Sequence, residues 1–391
     1  MHVQRTSELW LILLFIGILV SVPVVQTGVE LWRGDRVQAL DVFRDRPTSA
    51  HLRAYERQLE DESVIARNLR PFAKYARFAW FKDGGYKAVM GRDGWLFYGP
   101  GLDYITRKAS PAQHTTVSNV LSAIIDFRDQ LTARGIQLVV MPVPNKESIY
   151  PEKLLRGSSL KPGVLSEETR ELLMRLEGEG VPVVNLFELF ASARRTNDSN
   201  LLYLSQDSHW SPLGLKLAAT AVSERLLDEH IINAGTAKFD VREQTVERVG
   251  DILGMLRIPL FEAAKKSKPV VCEQVSRTDA RDVNRDLAES KVLILGDSFL
   301  RIFQQDEPRA AGFVAHLARD LKQSIASIIN DGGASSLVRQ ELNRRAYLLA
   351  NKKVVIWEFV ERDIRLGTEG WQKIRLPENK PSERAKVALG K

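Results

Sequence analysis

The chain is almost without cysteine. Cys272 is the single thiol in 391 residues, so neither an intramolecular disulfide nor a multi-cysteine metal site can form within one chain. Internal repeats are lacking, and so is a glycine-rich phosphate loop of the kind that cradles nucleotides. No run combines dense basic charge with interleaved aromatics. The formal charge of +7 and pI near 9.4 come from Lys and Arg scattered beside Asp and Glu. That pattern reads as solvated surface and argues against a nucleic-acid partner. No His, Glu and Asp cluster has the spacing of a metal site, and neither a metal nor a cofactor is expected.

What is present begins with an uncharged stretch from Leu9 to Val29, which would span about 32 Å as a helix, enough for a hydrocarbon core. It is longer than the apolar region of a signal peptide, and Ser21-Val22-Pro23-Val24 makes a poor cleavage site. An uncleaved anchor is the expectation, with a short tail before it. Orientation is less direct. Arg5 precedes the span while Arg33, Arg36, Arg44 and Arg46 follow it, a balance that the positive-inside rule counts against an exported domain.

Behind the anchor, Leu52, Tyr55, Leu59, Ile65, Leu69 and Phe72 recur at roughly helical spacing, predicting an amphipathic connector within residues 30–85 that ends near Pro71. Arg92-Asp93-Gly94 followed by Trp95-Leu96-Phe97-Tyr98 predicts a hairpin, whose Trp95 and Tyr98 could stack on a sugar but suit packing under the domain better. From Ala112 onward amphipathic helices alternate with short apolar runs: 136–143, 181–185, 291–295, 325–330 and 354–359. Helices are expected at 112–134, 166–177, 212–230, 305–322 and 337–349. Strands apolar at every position and separated by helices indicate an α/β domain with a mostly parallel sheet flanked by helices. Residues 236–290, with Lys265, Lys266 and Lys268, break the rhythm and read as a partly ordered insertion. The domain is expected to run from 86 to 379, with a tail at 380–391.

Two fragments carry chemistry. Gly296-Asp297-Ser298 follows the apolar run Val292-Leu293-Ile294-Leu295, and side chains just past the carboxyl end of a parallel strand sit where ligands bind. A plain strand-to-helix turn with a capping Asp or Ser would look the same. In Asp207-Ser208-His209, residues two apart on an extended backbone share a face, so a carboxylate can orient an imidazole. Here too there is a bland alternative, in which Asp207 or Ser208 starts the helix beginning at Ser211-Pro212 and His209 is a satisfied polar residue near its N-terminus. Together the fragments supply nucleophile, base and orienting carboxylate for acyl transfer. Oxyanion donors are sought in the Ser298 amide and in the loop Asn330-Asp331-Gly332-Gly333, with Asn330, Gly332, Gly333 and Trp210 as oxyanion or substrate candidates. That loop could equally be a simple strand-to-helix turn. Glu358 and Arg362 suit a structural ion pair or a loop clamp.

These residues, with Gly91 to Tyr98, Gly250-Asp251-Ile252-Leu253 and Trp357 to Arg362, resemble the alginate O-acetyltransferases of the AlgJ/AlgX type, which carry an SGNH-hydrolase-like domain. The likeness covers about Leu52 to Asp363. The Asp-x-His element precedes the serine and has one spacer, whereas ordinary SGNH esterases place the serine first and end on Asp-x-x-His. That permuted order belongs to the acetyltransferases. The resemblance is closer to AlgJ, because an anchor is present and no room is left for a carbohydrate-binding module. It implies a bacterial inner-membrane protein, single-pass, with its catalytic domain in the periplasm, acetylating an anionic or neutral exopolysaccharide alongside other secretion proteins. It assigns Ser298 as nucleophile, His209 as base and acid, and Asp207 as orienting carboxylate. It also implies a multi-span membrane O-acyltransferase as acetyl donor. An acetylesterase using the same triad and a non-enzymatic scaffold of a secretion complex are the rival readings.

Overall fold

In the computed structural model the described residues are 2–37, 84–107, 112–154, 162–196, 201–256, 267–279, 289–367 and 370–377, with isolated positions between 38 and 83 and at 287. Among them, eight strands are Ala88–Met90 (β1), Leu96–Tyr98 (β2), Gln137–Val143 (β3), Phe239–Arg248 (β4), Lys268–Arg277 (β5), Val292–Gly296 (β6), Ile325–Ile329 (β7) and Val354–Val360 (β8).

A strand apolar along nearly its whole length must be covered on both faces, and four such strands form one parallel sheet of order β3-β8-β6-β7. Alternation divides each strand between two layers. On one face Val139, Met141, Val292, Ile294, Val354 and Ile356 pack with Leu215, Val222 and Leu226 of the helix Pro212–Asp228 and Leu317 and Leu321 of the helix Phe313–Leu321. On the other, Leu138, Val140, Leu293, Leu295, Val355 and Trp357 pack with Val120, Ile124 and Phe127 of the helix Ala112–Thr132, with Leu172 of Glu167–Gly178 and with Leu342 of Leu337–Arg344. The last strand among the described residues, β8, lies between β3 and β6, so the loops leaving β3, β6 and β8 gather at one rim.

The chain divides into two compact units, one of residues 1–84 and 257–264, the other of 85–256 and 265–391. In the first, a helix runs over His2–Arg33 with Pro23 inside it, and its Trp10–Arg33 portion, of mean hydropathy 2.3, is long and apolar enough to cross a membrane. Of the connector, Leu52, Tyr55, Leu69 and Phe72 are helical, while Leu59, Ile65 and Pro71 lie outside the described residues. The tail 380–391 lies outside them as well.

The hairpin at 88–98 forms, with Met90 opposite Leu96 and the turn made by Asp93 and Gly94 at φ 55° and 76°. Trp95 is buried 4.6 Å from the ring of Tyr150, so packing is its use and sugar stacking is not. Two expectations need correction. The run 181–185 is no strand but a single bridge from Val183 to Val140. The helix placed at 305–322 begins only at Phe313, because Phe303, Arg309 and Ala310 take positive φ and break the spiral. The segment 236–290, expected to be a partly ordered insertion, holds a ten-residue antiparallel ribbon, with Phe239 opposite Arg277 and Arg248 opposite Lys268. Lys265 and Lys266 fall outside the described residues; Lys268 opens β5. A further helix, Leu186–Thr196, was not foreseen.

Candidate active site

The nucleophile turn is built at the end of β6. A side chain at Gly296 would place its Cβ 2.2 Å from Glu358 Oε2, so only glycine lets that carboxyl lie beneath the turn. There Glu358 Oε2 accepts the Asp297 N–H at 2.9 Å. Asp297 in turn accepts the Phe299 N–H at 2.8 Å and caps the short helix Ser298–Arg301. Glu358 is thus the loop clamp expected of it. Ser298 is left at the first helical position, on the rim where the strands end.

The second loop is pinched shut by an antiparallel bridge from Tyr203 to Trp210. Lys146, just past β3, is fully buried and serves as its scaffold: its ammonium donates to the carbonyls of Leu96, Leu204 and Asp207, the last at 2.7 Å. Burial pulls this lysine down to about 8 against the charges of Glu147, Asp207 and Asp251. Ser211 caps the following helix, accepting the Gly214 N–H at 3.2 Å. The helix is therefore capped by Ser211 and not by Asp207 or Ser208, which leaves Asp207 and His209 free of that task.

The two loops meet. His209 Nδ1 is 2.7 Å from Asp207 Oδ1, and Nε2 is 2.8 Å from Ser298 Oγ. The bond pattern places the proton on Nδ1, donating to the carboxylate, and leaves Nε2 to accept from the serine hydroxyl. Asp207 and His209 are both buried. Burial pushes the Asp207 carboxyl up, but the His209 hydrogen bond, the imidazole charge and the Arg248 guanidinium outweigh it and hold the group well below the carboxylate range. Burial pushes the imidazole down, and the hydrogen bond and charge of Asp207, with Asp251 and Asp297 beyond, turn that into a net rise.

Two neighbours receive no role from sequence: Asp251 stands in the motif Gly250-Asp251-Ile252-Leu253, whereas Arg248 carries no sequence signal of its own. Arg248, at the end of β4, donates from Nε to Asp207 Oδ2 at 2.8 Å. Asp251 accepts the Ser208 N–H at 2.6 Å and the Ser208 hydroxyl at 2.5 Å. Asp207, His209 and Asp251 bring three possible metal-ligand atoms within 4.8 Å of one another. The fit to a cation is poor, because Asp207 already accepts from Nδ1, the Arg248 guanidinium and the backbone amides of His209 and Asp251.

The remaining candidates separate. Trp210 is fully buried, stacked 5.7 Å from Phe313 and edge-on to Phe299, so it is core and offers no face to a substrate. The Gly333 N–H is bonded to Asn330 O at 2.9 Å and the Asn330 N–H to Gly296 O at 3.0 Å, which spends both amides inside the turn. Gly332, exposed at φ 66°, remains a candidate in that loop beside the Ser298 amide.

A family model described as SGNH hydrolase-like domain, acetyltransferase AlgX, matches residues 88–361. The chain belongs to that family. It is an SGNH-like O-acetyltransferase, and Asp207, His209 and Ser298 all fall inside the matched span. Among named relatives, the probable alginate O-acetylase AlgJ of Pseudomonas putida is 26% identical over 368 residues, covering 92% of this chain and 90% of that protein. AlgJ of Pseudomonas aeruginosa is 23% identical, covering 88% and 87%. The solved O-acetyltransferase domain of P. putida AlgJ superposes with a TM-score of 0.57 at 23% identity, over 78% of this chain and 99% of that one. That likeness shows the fold, and the SGNH-like parallel sheet flanked by helices is the one that the family resemblance implied.

Proposed function

We propose that this acetyltransferase works through an acetyl-serine on Ser298 and delivers the acetyl group to a hydroxyl of an exopolysaccharide, alginate or a polymer like it. The observation that carries the mechanism is the unbroken chain of hydrogen bonds from Asp207 through His209 to Ser298, at 2.7 and 2.8 Å. His209 Nε2 takes the Ser298 proton as Oγ bonds to the acetyl carbon. The imidazolium, held by Asp207, returns that proton to the donor as its bond to the acetyl breaks. A sugar hydroxyl then attacks the acetyl-serine and loses its proton to Nε2, and Ser298 recovers it on leaving. The Ser298 amide at the helix start is the first donor for the developing oxyanion, and the exposed Gly332 of the loop after β7 is the candidate for a second.

The same reading makes the helix at the N-terminus an inner-membrane anchor, residues 30–85 a connector and 86–379 a catalytic domain in the periplasm, with 236–290 its insertion. Support comes from the apolar span Trp10–Arg33 and from relatives named as alginate O-acetylases. A compartment without acetyl-CoA needs a donor that carries acetyl across the bilayer, and a multi-span membrane O-acyltransferase meets that need.

Replacing Ser298 with Ala is expected to abolish polymer acetylation in cells and labelling of the purified chain by a serine-directed phosphonate. Labelling that persists at another residue would remove Ser298 from the mechanism. Acetyl-ester hydrolysis indifferent to added oligosaccharide would favour an esterase instead.

A further inference from the structure

The motif Gly250-Asp251 and the residue Arg248 lie outside the three groups assigned above, yet both side chains close on them. Arg248 fixes Asp207 Oδ2 at 2.8 Å, and its own Nη1 stands 3.5 Å from Asp306 Oδ2. Asp251 is clamped by both donors of Ser208, sends its backbone N–H toward Asp207 Oδ2 at 3.3 Å, and brings Oδ2 to 3.6 Å from His209 Nδ1. This approach depends on Gly250, where a Cβ would stand 2.0 Å from Gln206 O and 2.9 Å from Asp207 N. A guanidinium and a second carboxylate therefore flank the Asp207–His209 pair.

We propose that Arg248 and Asp251 are positioning residues that bracket this pair and pull the protonation of the imidazole in opposite directions. Arg248 holds Oδ2, which turns Oδ1 toward Nδ1, and its positive charge tempers what the imidazole feels of Asp207. Asp251 adds a negative charge close to Nδ1 and favours the imidazolium. Without Arg248, His209 is a stronger base that stays protonated to higher pH; without the Asp251 charge it is a weaker one. The other charged groups facing the pair are Asp297 on the nucleophile turn, Lys146 past β3 and Asp306 behind Arg248. They are common to all variants, so the comparison isolates the two.

This inference rests on His209 as the base. Acetyl-ester hydrolysis by the full-length protein in detergent, followed from pH 5 to 9, tests it. Arg248→Gln is expected to move the acid limb of kcat/KM upward by about half to one pH unit and Asp251→Asn to move it downward by a similar amount, with Arg248→Lys restoring most of the first shift. Limbs that do not move, or that move the same way, overturn the proposal. Should Arg248→Gln fail to fold, Asp251→Asn alone still decides, since an unmoved or upward limb contradicts it. His209→Ala separates the two levels: if it keeps wild-type activity, the base assignment itself fails. If it is inactive while the other profiles superpose on wild type, only the bracketing inference falls.

Discussion

Asp207 illustrates how much a single carboxylate can be asked to hold. Its two oxygens accept from an imidazole, a guanidinium and two backbone amides, and that saturation keeps it ionised while buried. The charge so maintained raises His209 above the ordinary histidine value near 6.5. A base must be neutral to act, so raising its pKa moves the acid limb of activity to higher pH. The pH profile of the full-length protein is accordingly expected to lose activity as pH falls through a point above 6.5, and a limb at or below 6 would contradict this. The pairing of Asp207, His209 and Ser298 was legible in sequence because residue type and two-residue spacing carry it. Arg248 was not, since it ends a charged strand whose pairing partner lies beyond a long break.

Among the elements, the strands of the parallel sheet were readable because burial on both faces leaves a nearly continuous apolar run, broken only by residues such as Ser327 and Glu358. The ribbon of β4 and β5 was not. Most of β4 is exposed on both faces, so its residues alternate little, and only Cys272 and Val275 of β5 are buried. Trp210 was misjudged for the opposite reason: an aromatic beside a catalytic motif invites a substrate role, whereas the loop's bridge to Tyr203 turns it inward. Trp210→Ala should behave as a core truncation, destabilising by about 3–5 kcal/mol. Chemical denaturation should show that loss, and an unchanged midpoint with a raised KM for acceptor would restore the substrate role.

For the whole molecule, the gathered strand ends concentrate buried acids as well as the active site. Burial pushes Glu361 up to about 7, against the hydrogen bonds of Ser148, Asn145 and Thr169, and pushes Asp363 to about 7, against Arg362 and with the help of Asp297. A carboxyl whose folded pKa is raised binds its proton more tightly folded than unfolded. Its contribution is full below about pH 4 and is lost as pH rises toward 7. His209, also raised, contributes in the same direction. The thermal midpoint should therefore decline from pH 5 to pH 7.5, and a rise over that range would show that these acids are stabilised as carboxylates. The central claim concerns the acetyl group, and it is tested most directly by mass spectrometry of the peptide carrying Ser298 after brief exposure to an activated acetyl ester. The account predicts one added acetyl group on Ser298, retained until acceptor is supplied and absent from Ser298→Ala; an acetyl found only on another residue, or turnover with Ser298 never modified, would contradict it.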